Sequence, residues 1–286
     1  MADISAKDVA ALRKVTGAGM MDCKRALQES GGDLDAAKIW LRERNLAGAS
    51  KRAGREADQG AIEVVADRSL DGDSIAALVE LNCETDFVAK GVPFKEMAAK
   101  LAAHVVRHGA NDIATAAFEG NTVDETITQL SGTLGEKVQL GRVVRYETSD
   151  GLLDAYKHIQ NERGVIGVLV ELGGVDPADA AAQSVAHDLA LHIASATPRF
   201  VSRDDVPVEE IAKEREVLEA QSRAEGKPAN ALDKIVEGKL NGFFKKICLV
   251  DQPFVKDNKT TIAKLLQGLG PSTAVRRFVR VRIGED

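Results

Sequence analysis

A seven-residue string is echoed later in this chain. Ile75-Ala-Ala-Leu-Val-Glu-Leu81 returns as Ile166-Gly-Val-Leu-Val-Glu-Leu172, and downstream of each copy Leu101-Ala-Ala-His-Val105 is answered by Leu189-Ala-Leu-His-Ile193. Each copy is a strand-like run followed by an apolar helical stretch. A chain that carries the same strand-then-helix unit twice, in the same order, is predicted to build a duplicated α+β core. Two copies make a pseudo-symmetric pair, not a solenoid.

The residues ahead of the repeat have helical period. Ser5-Ala-Lys-Asp8 has the form of a capping box, with Asp where Glu or Gln is preferred, and Thr16-Gly-Ala-Gly19 ends the run that follows. Met20 to Leu27 forms a second helix stopped by Gly31-Gly32, and Asp33 caps a third over Leu34 to Leu46. Residues 1–50 read as a three-helix bundle, too small to be an enzyme's active domain. Gly48 to Gly60 is polar and glycine-punctuated; it reads as a connector that starts as a frayed helix, with residues 51–60 as the linker. Its Lys51, Arg52 and Arg55, diluted by Glu56 and Asp58, fit a solvated connector better than a nucleic-acid contact.

Residues 61–140 hold the first α+β unit, with strands over Ala61–Val65 and Ser74–Leu81 about the hairpin signal Asp71-Gly72, then helices over Pro93–His108 and Thr122–Lys137. Strands over Val138–Glu147 and Leu152–Ile159 lead into the second copy, and residues 141–203 with 250–260 are taken as the second unit. Residues 204–249 are charged and helical. Gly226-Lys-Pro228 breaks them into an antiparallel hairpin that either projects from the core or lies flat on it. Residues 261–286 read as a C-terminal module with a short helix over Thr260–Leu269 and a strand over Ala274–Ile283.

Several classes of function are disfavoured. A net charge of −6 lacks the dominant basic surface that wrapping nucleic acid needs. Met1-Ala-Asp-Ile-Ser does not have the form of a signal peptide, and no apolar stretch approaches the roughly 18 residues of a membrane span, so a cytoplasmic chain is expected. Cys23, Cys83 and Cys248 are odd in number and include no CxxC, as in a reduced protein. No phosphate-cradling glycine loop is present; Gly132-Thr-Leu-Gly-Glu-Lys137 has the wrong spacing. His104 and His108 could share a metal at i and i+4, but without an adjacent Glu or third ligand a half-exposed helix face is the better reading. Cys83 ends an apolar strand with no histidine close in sequence, which favours a buried thiol over a nucleophile. No catalytic centre, cofactor or metal is expected.

One stretch stands apart. In Glu80-Leu-Asn-Cys-Glu-Thr-Asp-Phe-Val-Ala-Lys-Gly91, a bulky Phe87 sits between an acid and a valine just after a strand. It is either a core aromatic at a strand end or a projecting apolar finger.

Leu12-Arg-Lys-Val-Thr-Gly-Ala-Gly-Met-Met-Asp-Cys-Lys-Arg-Ala-Leu27 and Glu80 to Lys90 resemble the two signature motifs of the elongation factor Ts family, the guanine-nucleotide exchange factors of the GTPase elongation factor Tu. The resemblance continues through Arg163–Val170, Ile235–Lys239 and Gln252–Val255, and so spans essentially the whole chain. It departs at the end, where the chain stops at Asp286 without the further helical tail of some relatives, and any contact made by such a tail is expected to be absent.

The resemblance implies a ubiquitin-associated-like bundle of three helices, a duplicated α+β core with antiparallel sheets, and an inserted helical hairpin. It implies a non-catalytic cytoplasmic factor of protein biosynthesis whose partner is elongation factor Tu. Thr85-Asp86-Phe87-Val88 then meets the GTPase domain; Phe87 enters an apolar pocket, dislodging the nucleotide's Mg2+ and loosening its phosphates, with Asp86 as companion. The bundle grips the same domain through Val15, Met20 and Met21, unless those methionines fill its core. His158 and the Gly164-Val-Ile-Gly167 turn, with Gly164 and Gly167, correspond to contacts with a distal domain. Two rival classes remain: a ubiquitin-like adaptor or protein-binding module acting through the N-terminal bundle, and an enzyme using Cys83.

Overall fold

The computed structural model describes residues 4–68 and 73–285. Three helices lead: α1 (Ala6–Thr16), α2 (Met20–Glu29) and α3 (Leu34–Arg52). The capping box closes in both directions, Asp8 N–H donating to Ser5 Oγ and Ser5 N–H to the Asp8 carboxylate, so aspartate serves in the glutamate's place. Gly17 then ends α1 in the left-handed region, at φ 66°. Leu12, Cys23, Ala26, Leu27, Ala37 and Leu41 form the core of this bundle.

The first α+β unit contains β1 (Gln59–Arg68), β2 (Ser74–Cys83), α4 (Asp86–Lys90), α5 (Val92–His108), β3 (Ala117–Phe118), β4 (Asn121–Thr122), α6 (Val123–Leu134) and β5 (Val138–Thr148). The second contains β6 (Gly151–Gln160), β7 (Arg163–Gly173) and α7 (Ala180–Ala196). The helical pair α8 (Val208–Ala224) and α9 (Leu232–Ile247) follows. The chain finishes with β8 (Pro253–Phe254), β9 (Asp257–Thr261), α10 (Ile262–Gln267) and β10 (Ala274–Arg282).

The repeated string supplies the central strand of each of two three-stranded antiparallel sheets, ordered β1-β2-β5 and β10-β7-β6. A central strand covered on both faces must be apolar on both faces. Ala77, Val79 and Leu81 of β2 pack on Leu101, Ala102 and Val105 of α5, while Ala76 and Leu78 face Leu169 and Val281 of the other sheet. Val168, Val170 and Leu172 of β7 pack in the same way on Leu189 and Ile193 of α7. The result is four layers, helix–sheet–sheet–helix, in an α+β fold. The Asp71-Gly72 turn signal lies outside the described residues; the strands it joins pair from Arg68 with Ser74 to Gln59 with Cys83.

Two expected boundaries fall differently. β5 runs through residue 140 and pairs with β2, so the division drawn there cuts a single strand. β10 is an edge of the second sheet, so residues 261–286 complete that unit instead of standing apart. The hairpin α8–α9 closes on its own seam of Leu218, Leu232, Val236, Leu240 and Phe244, and a parallel bridge between Phe200 and Cys248 ties its base to the core. A hairpin with its apolar seam used internally is built to project, not to lie flat.

The linker is shorter than expected: helix occupies its first two residues and strand its last two, leaving 53–58 as the connector. α3 continues past Leu46 to Arg52, and it does so because it packs along α6. A Cβ at Gly132 of α6 would lie 2.3 Å from Asn45 Cβ, so only glycine lets the two helices approach this closely. Arg52 donates to the Ser131 carbonyl at 3.1 Å, and Arg42 to Asn121 Oδ1 at 3.0 Å. Arg52, one of the three basic residues read as connector, is therefore a tie between the bundle and the core.

Candidate functional site

β2 ends at Cys83 and the chain turns at once into the single turn of α4. Thr85 is the N-cap, with extended backbone, and its Oγ1 accepts from Val88 N–H at 3.4 Å. Its own N–H and hydroxyl both donate to the Glu136 carboxylate, at 2.9 and 2.5 Å. Glu84 accepts from Lys137 N–H at 2.6 Å and pairs with Arg55 at 3.2 Å. The segment that leads into α4 is thus pinned from the turn between α6 and β5.

From this base, α4 turns its residues two ways. Ala89 is fully buried and Val88 packs against the same core, whereas Phe87 is 82% exposed. The core-aromatic alternative for Phe87 is excluded: the ring projects. Lys90 Nζ lies 2.5 Å from Asp86 Oδ2 and 5.9 Å from the centre of the Phe87 ring. The hydrogen bond from Lys90 holds the Asp86 carboxyl below the ordinary carboxylate range, so the acid beside the ring is ionised at neutral pH. What α4 offers is an apolar wedge with the Asp86–Lys90 ion pair at its side.

Cys83 is a core thiol. It is fully buried, its Sγ donates to the Thr85 carbonyl at 3.2 Å, and burial, with help from the Glu136 charge, pushes its pKa up to about 12. A thiol that stays protonated is a poor nucleophile. His104 and His108 stack at 4.4 Å between ring centres, with Phe118 edge-on to His104 at 5.2 Å. His104 is buried and His108 exposed, so the pair sits on a half-exposed helix face. Among the described residues, no three His, Cys, Asp or Glu side chains are grouped to hold a metal, and no helix is long and apolar enough to cross a membrane.

The other expected positions divide. Val15, Met20 and Met21 are all exposed, so the methionines do not fill the bundle core. Met20 and Met21 line a groove of about 690 Å³ with Ile4 and Val9, edged by Arg13, Lys14 and Lys24. His158 is exposed on β6 and bonds Tyr156 Oη through Nδ1 at 3.1 Å. Gly164 and Gly167 are not in a turn but in β7, and both are buried. A Cβ on Gly167 would sit 2.6 Å from Ile62 Cγ2, and one on Gly164 only 2.2 Å from the Ile62 carbonyl. They let the two sheets cross closely, which removes them from the surface. The turn itself is Asn161-Glu162, with φ of 50° and 65°, and the exposed apolar residue beside it is Ile159.

The family model described as Elongation factor TS matches residues 84–285. Elongation factor Ts of Thermobifida fusca is 46% identical over 100% of both chains. That of Micrococcus luteus is 42% identical over 99% of this chain and 100% of its own. That of Streptomyces coelicolor is 43% identical with the same coverage. The chain belongs to the elongation factor Ts family. It is a translation elongation factor, and the stretch resembling the second signature motif of the elongation factor Ts family is the one that presents Phe87.

Sequence reading missed Glu136. It enters the sequence only within a glycine stretch that fails as a phosphate loop, and its contact with Thr85 joins positions 51 apart. No local pattern signals such a pair.

Proposed function

We propose that this chain is a guanine-nucleotide exchange factor. It binds elongation factor Tu in its GDP state, displaces Mg2+ and GDP, and so allows reloading with GTP during elongation. The observation that carries the reading is Phe87, a large apolar side chain 82% exposed on a turn whose base is anchored by hydrogen bonds. An exposed aromatic with few rotamers to freeze loses little entropy on docking, and its burial contributes about 1.5–3 kcal/mol. The ionised Asp86 beside it enters the partner near the groups that hold the metal, where a negative charge competes with them for Mg2+ or reorients them.

Thr85 and Val88 complete the segment, one capping the turn and the other packing it to the core. The groove at Met20 and Met21, with Val15 nearby on α1, is proposed as a second grip on the GTPase, and exposed His158 as a contact with a distal domain. The buried glycines act behind that contact by holding the two sheets together. The chain needs no chemistry of its own: exchange follows from binding the nucleotide-poor form of the GTPase more tightly than the Mg-GDP form. Packing of α3 against α6 weighs against an adaptor bundle that works apart from the core. The test is to mix the protein with elongation factor Tu loaded with fluorescent GDP. Accelerated release supports the reading, and release at the spontaneous rate contradicts it.

A further inference from the structure

Phe87 makes the ring, but the ring does not set its own direction. At 82% exposure it has little packing to orient it, and α4 is five residues long, far too short to be stable as a helix by itself. Val88 and Ala89 seat the turn on the core, and its direction is completed by whatever fixes the residue that caps its start. That residue is Thr85, and its partner is Glu136.

We propose that Glu136 is the positioning residue of the Phe87 wedge, its carboxylate setting the direction in which α4 presents the ring. The inference rests on the reading of Phe87 as the exchange wedge. Two donors of one residue meet two oxygens of one carboxylate: Thr85 N–H reaches Oε2 at 2.9 Å and Thr85 Oγ1 reaches Oε1 at 2.5 Å. A bidentate pairing fixes backbone and side chain together, and charge-assisted bonds are the stronger kind. The hydroxyl has a single proton. Because Glu136 takes it, a lone pair of Oγ1 is left facing Val88 N–H, and the cap of α4 closes. One carboxylate therefore fixes the rotor of the cap, the cap fixes the turn, and the turn aims Phe87.

The neighbouring residues act in the same sense. Lys137 N–H donates to Glu84 Oε1 at 2.6 Å, Arg55 pairs with that carboxylate, and Lys137 Nζ reaches back to the Arg55 carbonyl at 2.7 Å. The turn between α6 and β5 thus holds both residues that precede α4. The connector after α3 is tied to the same node.

The experiment is a double-mutant cycle on the full chain: wild type, Glu136→Gln, Phe87→Ala and the double variant. For each, the saturating rate of fluorescent GDP release from the GTPase, the half-saturating concentration and the thermal melt are measured. Glu136→Gln is expected to lower the saturating rate about tenfold, which is about 1.4 kcal/mol, the scale of one hydrogen bond to a charged group. The melt should fall by only a few degrees, about 2–4 °C per kcal/mol. In the Phe87→Ala background the same substitution should have no further effect on the rate, because there is no ring left to aim.

Thr85→Val, which removes the proton that Glu136 takes, should reproduce the loss. Thr85→Ser, which keeps the hydroxyl, should recover most of the rate that Thr85→Val loses. If Glu136→Gln fails to fold, the Thr85 pair carries the test. An equal loss in both backgrounds, or no loss at all, overturns the role of Glu136. Wild-type release by Phe87→Ala itself would instead bring down the wedge reading on which it stands.

Discussion

His104 and His192 occupy equivalent positions on the two repeated helices and are both buried, yet their ring nitrogens are treated differently. His192 Nδ1 accepts from Val255 N–H at 3.3 Å, and Nε2 meets Gln252 Oε1 at 2.8 Å. Gln252 donates its amide to the Lys246 and Ala196 carbonyls, so its oxygen is left to accept and Nε2 of His192 carries the proton. His104 Nε2 has no partner and is buried, with the ring stacked on His108. Duplication has kept the side chain and let its surroundings diverge.

Both histidines should therefore make stability fall on mild acidification. Burial lowers the pKa of each, the first cause in both cases, with the charges of His108 and Arg107 adding to it at His104. The folded state then binds fewer protons than the unfolded one, so stability is full above the ordinary histidine value of 6.5 and declines as pH drops below it. Carboxylates such as Glu84 and Asp86, held low by hydrogen bonds, add their losses only in more acidic solution. A melting series from pH 7.5 to 5 should show the decline, and His192→Gln should flatten it whatever its effect at neutral pH. A slope unchanged in that variant would mean that His192 titrates alike in both states.

Gly238 and Gly242 lie within α9, and a Cβ at either would meet nothing within 4 Å. Glycine in a helix interior costs about 0.8–1.0 kcal/mol relative to alanine. Gly238→Ala and Gly242→Ala should each raise the melting temperature, with nucleotide release unchanged. A stabilised variant with impaired exchange would show that the glycine face of α9 is a contact in the working complex.

Gly167→Ala tests the reassignment of the β7 glycines from contact to packing. Its Cβ would crowd Ile62 Cγ2 and Leu78 Cδ1 at 2.6 and 2.7 Å, and overpacking of this kind costs about 1–3 kcal/mol. The expected result is a lowered melt with partner affinity kept by the fraction that folds. An unchanged melt with lost affinity would return Gly167 to the binding surface.

The bundle should behave as part of the body, not as a tethered module. Removing residues 1–50 cuts α3 near its end and uncovers the face of α6 at Gly132, so the melt should fall. Met20→Ser with Met21→Ser, by contrast, alters only exposed side chains. That variant should keep the melt and weaken partner binding by about tenfold, or ~1.4 kcal/mol, the level that marks an energetically important contact. Unimpaired binding would remove the groove from the docking surface.

The amphipathic and repeated parts of the fold were legible because they are local. The period of β2 and β7, the capping box at Ser5 and the helices carrying His104 and His192 all follow from short-range pattern. What escaped the sequence is contact over distance. The polar run after Leu46 has no helical stripe of its own, and it stays helical because Asn45 and Arg52 meet α6. Gly164 and Gly167 look like turn residues, since glycine in a sequence does not distinguish a turn from a close crossing of sheets. Phe87 could be placed but not oriented, because periodicity is undefined over a five-residue helix. Its supporting Glu136 belongs to another turn altogether.

The most direct test of the account is Phe87→Ala, measured as partner affinity with and without Mg-GDP, together with GDP release and the melt. Reciprocity requires that a factor which weakens nucleotide binding be weakened by nucleotide to the same degree, with coupling of about 1–3 kcal/mol, or about 5–150-fold. Truncating the wedge should leave the melt unchanged, because the ring is outside the core, and should shrink both the release rate and the antagonism by Mg-GDP. An unchanged melt with unchanged release and antagonism would contradict the account.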